Sequence, residues 1–204
     1  MALEIVQLYD MLRSGRREEE IKQILLSFCS LRNGDQIHDV EDFLHNKAIE
    51  FEKNDIARTY LVFSSYKGYP VLVGYYSLSN KPLIISKRNF SKFSTSLKKR
   101  LLGFGHKTER ENYEIKGYLL GQLGKNYSED AIATRAVSGR DLLALATESM
   151  LQIHKLAGGR IFYLECEDIE KLKQFYHGEG FREIEDYKSE NGYCIFIRRI
   201  HDKK

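Results

Sequence analysis

The spacing of apolar residues changes several times along the chain, and each change marks a boundary. Over 2–28 the apolar residues recur at helical intervals: Leu3, Val6, Leu8 and Leu12, then Ile21, Ile24, Leu25 and Phe28, with Ser14-Gly15 as a break between them. A further amphipathic helix is predicted over 39–54, with Val40, Phe43, Leu44, Ala48 and Phe51 on one face and Asp39 placed to cap it. The period then falls to two. Residues 58–64 and 71–79 read as strands joined by a turn at Lys67-Gly68, and 83–85 as a continuation of that sheet past Pro82. Periodicity is weak over 86–112, where Leu97, Leu101 and Leu102 predict a short helix and 103–105 a loop. Residues 113–126 read as one strand, apolar at its centre and stopped by Gly124 and Asn126. In 139–158, Leu142, Leu145, Ala146, Met150, Ile153 and Ala157 form one face of a helix that Gly158-Gly159 ends. A buried strand at 160–165, a helix at 169–177 capped by Asp168, and an antiparallel pair at 183–187 and 193–199 close the chain.

This order predicts a mixed α+β fold in a single domain, 1–204, with 1–28 as an N-terminal helical extension within it. The sheet is mostly antiparallel, flanked by helices, with one βαβ crossover at its centre. A single parallel pair in such a sheet is free to splay, leaving a cleft lined by unpaired backbone groups.

Composition narrows the classes. At 204 residues with 42% apolar and 30% charged content, the chain is an ordinary globular one. No stretch approaches the ~20 apolar residues that cross a bilayer, and no signal-peptide pattern opens it, so the expectation is a cytoplasmic protein without a membrane partner. Cys29, Cys166 and Cys194 lie far apart without metal-ligand spacing, and the six histidines show none either, so three reduced thiols and no metal are expected. The net charge of +3 is small, but its distribution is uneven. Between Ser86 and Tyr113 lie Lys87, Arg88, Lys92, Lys98, Lys99, Arg100, Lys107 and Arg110 against Glu109 and Glu111, which gives that segment +6 and leaves −3 for the rest.

The stretch joining the central strand to its helix carries the candidate chemistry. A loop holding Ser138-Gly139 at a helix start aims free backbone N–H groups at one spot, which attracts phosphate. Gly139 lets the backbone approach closely, and Arg135 or Arg140 supplies charge. Ser138 is also the natural N-cap, with Asp141 three residues on as its partner, and both roles hold at once.

In these residues the chain resembles the GNAT N-acetyltransferase superfamily, from about residue 27 to about 199. Tyr118-Leu-Leu-Gly-Gln-Leu-Gly-Lys-Asn126 is similar to the family strand whose backbone pairs with the pantetheine arm of the cofactor. The loop through Ser138-Gly139-Arg140-Asp141 stands where the family has Q/R-x-x-G-x-G/A before its helix. Gly139 matches the last glycine, Val137 replaces the earlier one, and Thr134 stands at the Gln/Arg position with Arg135 one place late. Leu172-Lys-Gln-Phe175-Tyr176-His-Gly-Glu-Gly180-Phe181 resembles A-x-x-F-Y-x-x-x-G-F. The stretches at 51–63 and 74–79 resemble the branch containing tRNA-acetylating toxins and uncharacterised Gram-positive and phage acetyltransferases.

The resemblance implies the acyl-CoA N-acyltransferase fold, acetyl-CoA as cofactor and direct transfer of the acetyl group to a primary amine. It implies Tyr176 as general acid beside the cofactor sulfur, and binding by Leu123, Gly124 and Lys125 through their backbones and by Arg135, Ala136, Val137, Ser138, Gly139 and Arg140 around the pyrophosphate. The Leu123 or Gly124 N–H would polarise the acetyl carbonyl. Glu165, at the end of its strand, is the candidate general base, against the plain reading of a solvated strand end. The plain reading of Tyr176 is an aromatic packed against Phe175 and Phe181.

The acceptor stays open between an aminoacyl-tRNA, a protein amine and a small amine. For the basic segment 86–112, a platform for a polyanion such as tRNA stands against a solvated charged loop. A different class also stays open: a degenerate GNAT scaffold acting as an interaction module, forming a homodimer or holding a small protein partner through the N-terminal helices.

Overall fold

A computed structural model describes residues 3–31 and 38–200. The chain divides into two compact units, Met1–Ser79 with Gly121–Glu148, and Asn80–Leu120 with Ser149–Lys204.

The first unit opens with strand β1 (Glu4–Gln7), helix α1 (Leu8–Arg13) and helix α2 (Glu18–Leu26). Residues 4–7 are therefore not helical, as their apolar spacing suggested. They pair antiparallel with β2 (Arg58–Tyr66), Glu4 opposite Phe63 and Gln7 opposite Tyr60. A four-residue strand is too short for period two to stand out from the helical pattern that follows. The predicted break at Ser14-Gly15 is present, with Gly15 at φ +82°.

Helix 39–54 is built as α3 (Asp39–Asp42), a π-helical turn over Phe43–Lys47 and α4 (Ala48–Lys53). Its N-cap is His38, whose ring accepts from the Val40 N–H, and not Asp39, whose carboxylate accepts from Gln122 Nε2 at 2.9 Å. β2 turns into β3 (Tyr69–Ser79) through Lys67-Gly68, both at positive φ, the two-residue turn whose twist suits a hairpin. The N-terminal helices and 39–54 bury Leu8, Met11, Ile21, Leu25, Phe28, Phe43 and Leu44 against Leu61, Leu72 and Tyr75. The apolar stripe of residues 1–28 is thus internal core.

β7 (Gly117–Lys125) belongs to both units, Gly117–Leu120 to the second and Gly121–Lys125 to the first, and the order of the seven-stranded sheet is β1-β2-β3-β7, followed by β8 (Ile161–Cys166), β10 (Cys194–Arg199) and β9 (Arg182–Lys188). After it come α7 (Glu129–Thr134), which periodicity did not reveal, and the long helix α8 (Gly139–Ala157).

In the second unit β8 (Ile161–Cys166) runs parallel to β7, with Gly117 opposite Ile161 and Leu120 opposite Leu164. Gly117 is required there, because a Cβ would lie 2.5 Å from the Ile161 carbonyl oxygen. β10 (Cys194–Arg199) pairs antiparallel with β8 on one side and with β9 (Arg182–Lys188) on the other.

The expected single strand over 113–126 is two. β6 (Tyr113–Ile115) leaves the main sheet and joins β4 (Leu83–Ile85) and β5 (His106–Lys107) in a separate three-stranded sheet, so 83–85 does not extend the hairpin's sheet either. The basic segment is folded. It forms α5 (Lys87–Lys92) and α6 (Thr95–Leu102), capped by Ser86 and Ser94, and buries Phe90, Phe93, Leu97 and Leu101 in one cluster with Tyr113, Tyr163, Ile195 and Ile197. The solvated-loop reading therefore does not hold. Helix α9 (Glu170–Gly178) covers the other face of β8 and β10 through Tyr176 and Phe181. Asp168 does not cap α9; its carboxylate pairs with Lys173 at 3.0 Å and Lys188 at 2.8 Å. No helix among the described residues is long and apolar enough to cross a membrane.

Candidate active site

In the first unit the end of β7 is held by what surrounds it. Gly124 does not stop the strand; it is the only residue type that fits, because a Cβ would lie 2.8 Å from both Phe28 Cζ and Tyr75 Cε1. Tyr75 is locked in turn, its hydroxyl donating to the Val40 carbonyl and its ring edge-on to Phe28 at 5.1 Å. Burial raises its phenol well above the usual range. Leu123 and Lys125 flank Gly124, both half-buried.

The loop from α7 to α8 is compact. Thr134, where the motif has Gln or Arg, is buried and serves its own helix: its hydroxyl donates to the Ala131 carbonyl at 2.7 Å and accepts from the Ala136 N–H at 3.1 Å. Arg135 follows in the left-handed region at φ +50°, with its side chain exposed. Val137 is buried, so the residue that replaces a glycine has become part of the core. Ser138 and Asp141 form the expected reciprocal cap. The Asp141 carboxylate accepts from the Ser138 N–H and hydroxyl, both at 2.7 Å, and the Ser138 hydroxyl accepts from the Asp141 N–H at 3.3 Å. These bonds hold the Asp141 carboxyl below the usual carboxylate range. The N–H groups of Val137 and Gly139 make no hydrogen bond among the described residues.

A charge that sequence reasoning missed also lies here. The Lys125 ammonium, 5.6 Å from the Tyr127 ring centre, adds to the pull that lowers the Asp141 carboxyl. The family resemblance involves Lys125 through its backbone alone; that its charge is felt at Asp141, 16 residues on, is a tertiary fact.

In the second unit, α9 ends in a Schellman turn. Gly180 stands at φ +83°, the Gly180 N–H bonds to the His177 carbonyl at 3.0 Å and the Phe181 N–H to the Tyr176 carbonyl at 3.0 Å. The turn explains the Gly-Phe pair of the motif physically: glycine for the backbone, Phe181 to fold back on Tyr176. The Tyr176 ring is closed in by Phe175, Phe181 and Phe196 at 5.0, 6.0 and 5.9 Å. Burial, and then the neighbouring Cys166, push its phenol far above the ordinary value. Its hydroxyl makes no hydrogen bond among the described residues.

Glu165 is half-buried, opposite Ile195 on β10. Its charge is felt by Tyr163 and Tyr187, which pack with the folded basic segment. Tyr176 packs instead with Phe196, the neighbour of Ile195 on the opposite face. Glu165 and Tyr176 therefore stand on opposite faces of the strand pair β8–β10.

Among the basic residues of 86–112, Lys87 pairs with Glu111, Lys98 donates to the Ser91 carbonyl at 2.7 Å, and Arg100 reaches the Glu183 carbonyl at 3.4 Å. Arg88, Lys92, Lys99, Lys107 and Arg110 are exposed and make no ion pair among the described residues.

No protein-family model and no curated protein sequence matches the chain. Solved structures do. A mutant of KacT matches at a TM-score of 0.60 with 19% identity, over 98% of this chain and 95% of that one. AtaTR bound with AcCoA matches at 0.56 and 19%, over 97% and 92%. AtaT complexed with acetyl-methionyl-tRNAfMet matches at 0.55 and 19%, over 96% and 94%. The chain has the fold of AtaT and KacT, which bears out the mixed α+β class and the fold that the resemblance implied.

Proposed function

We propose that this chain is an acetyl-CoA-dependent N-acetyltransferase whose acceptor is the amine of an aminoacyl-tRNA. The observation that carries the transferase reading is the caged Tyr176, with its hydroxyl uncommitted, together with the uncommitted N–H groups of Val137 and Gly139 at the start of α8. Acetyl-CoA supplies a thioester, and moving its acetyl group to an amine needs a proton donor on the sulfur side and a proton acceptor on the amine side. Tyr176, kept neutral by its ring cage and with its hydroxyl uncommitted, is the donor. Glu165, the candidate base, stands on the other face of the same strands, so the proton that the amine loses reaches it only through water. The chain's donor groups fit the cofactor's phosphates: two uncommitted N–H groups at Val137 and Gly139, the Lys125 ammonium, and the Arg135 and Arg140 guanidinium groups. Ser138 and Ala136 shape that loop, and Leu123 and Gly124 offer backbone groups along β7.

The tRNA acceptor is supported by the exposed cations of α5, α6 and the loop after them, a surface suited to phosphates and ill suited to a small cationic amine. AtaT, which shares the fold, was captured with acetyl-methionyl-tRNAfMet. An acceptor of that kind places the protein in the cytoplasm. A homodimer or a small protein partner docked on residues 1–28 is a weaker reading, since their apolar stripe lies in the core; AtaT binds the C-terminus of the antitoxin AtaR. We read 1–204 as one functional domain on the strength of β7, which both units share.

Calorimetry with acetyl-CoA tests the enzyme reading. One binding site per chain is expected; no heat up to millimolar cofactor would contradict it and leave a degenerate scaffold that binds partners.

A further inference from the structure

The residue that follows β7 has every hydrogen-bonding position of its side chain committed. Asn126 is 1% exposed. Its Oδ1 accepts from the Cys29 N–H and the Ser128 N–H, both at 2.9 Å. Its Nδ2 donates to the Leu72 carbonyl at 2.7 Å and the Ser27 carbonyl at 3.2 Å. Its own N–H donates to the Val73 carbonyl at 3.0 Å. One amide thus ties the end of β7 to β3, to the turn that leaves α2 and to the start of α7. All four side-chain hydrogen-bond positions of an asparagine are used, and no other uncharged side chain of similar size presents two donors and two acceptors in one plane.

We infer that Asn126 is a positioning residue for the cofactor: it fixes the path of Leu123–Lys125 and so the strand edge on which the pantetheine arm is read. This rests on the acetyl-CoA reading above. Two features of the strand end make the clamp more than general stability. Asn126 directly follows Lys125, whose charge acts on Asp141 in the first turn of α8. Gly124, two residues before it, offers no side chain of its own, only a close approach to Phe28 and Tyr75, and the Gln122 bond to Asp39 is the nearest side-chain tie upstream on β7. Without the Asn126 amide, the strand end keeps its pairing with β3 and, beyond it, the backbone bonds from Asn126 N–H to Val73 and Tyr127 N–H to Cys29. It gives up every side-chain tie to Ser27, Cys29, Leu72 and Ser128.

The test compares ligands that share the nucleotide and differ in the arm. Asn126→Asp keeps the shape, removes both Nδ2 donors and leaves the Ser27 and Leu72 carbonyls without that partner. Ser128→Pro removes only one accepted bond, at a residue whose φ of −62° suits proline, and its melting temperature checks that the fold is kept. Calorimetry of each folded variant is run with acetyl-CoA and with adenosine 3′,5′-bisphosphate, which lacks the pantetheine arm. The expected result is ~10- to 100-fold weaker acetyl-CoA binding in Asn126→Asp, one to two tenfold steps in affinity. A smaller loss in the same direction is expected in Ser128→Pro, and the bisphosphate should bind both variants as it binds the wild type. A lowered melting temperature with both affinities unchanged would overturn the inference and make Asn126 a stabilising residue only. Equal loss of both ligands would overturn it as well, placing the effect at the phosphate loop. If the wild type binds the bisphosphate but gains nothing from the arm, the inference falls while a nucleotide site stands; if it binds neither, the acetyl-CoA reading falls and takes the inference with it.

Discussion

A phenol enclosed by three aromatic rings stays protonated, and for Tyr176 that is an asset and a limit. Burial raises its pKa, so the donor form persists at every working pH, at some loss of acid strength. The role that fits is a hydrogen bond to the departing sulfur, completed by proton transfer once charge has formed there. Replacing Tyr176 by Phe keeps the ring packing and removes only the hydroxyl. We expect unchanged melting temperature and cofactor affinity with kcat lowered ~10²-fold. The sign of the pKa shift adds a second readout. Because the folded value lies above ~10, the donor is not lost as pH rises from 6 to 10, so Tyr176 should add no alkaline limb to the kcat profile in that range. An unchanged rate in the Phe variant would make Tyr176 a packing residue. An alkaline limb near pH 8 that vanishes in that variant would contradict the raised pKa.

Among the elements, the folded basic segment separates the acceptors most sharply. Its helices are amphipathic in a charge sense: Phe90, Phe93, Leu97 and Leu101 point into the core while Arg88, Lys92 and Lys99 stay exposed. Lys98 and Arg100, which the sequence pattern groups with Lys99, are half-buried and bonded to backbone carbonyls, so reversing them would test folding and not binding. Reversing Arg88, Lys92 and Lys99 to Glu should weaken binding of charged tRNA and flatten its salt dependence, with acetyl-CoA binding unchanged. The slope should fall by ~0.7–0.9 for each phosphate no longer neutralised. Salt-dependent tRNA binding that survives the reversal would move the docking surface elsewhere on the molecule. The aromatic anchors Phe90 and Phe93 are visible in the sequence, but α5 is six residues long, too brief for a 3.6-residue period to register.

Across the whole molecule, the long elements could be read from pattern, and the short ones only where a continuous apolar run marked them, as at 83–85 and 160–165. The hairpin of β2 and β3, the helix α8 and the closing strands follow from runs of nine or more periodic residues or from turn chemistry such as Lys67-Gly68. β1, α5 and α7 did not, because each is six residues or fewer. The Ser138–Asp141 cap and the Phe175-Tyr176 to Phe181 turn were local and therefore legible. The pull of the Lys125 charge on Asp141, the ties of Asn126 to Ser27, Cys29 and Leu72 and the close approach that demands Gly124 join residues 16 to 99 positions apart, and no local pattern encodes them. The function rests on a single chemical event, and that event can be observed. Purified protein, acetyl-CoA and a set of tRNAs each charged with one amino acid are combined, the tRNA is digested with nuclease, and the aminoacyl-adenosines are weighed by mass spectrometry. The expected result is aminoacyl-adenosine heavier by one acetyl group on the amino nitrogen, dependent on the protein and strongly reduced with Tyr176→Phe. Unmodified aminoacyl-adenosine across the whole set, with acetyl-CoA bound but not consumed, would contradict it.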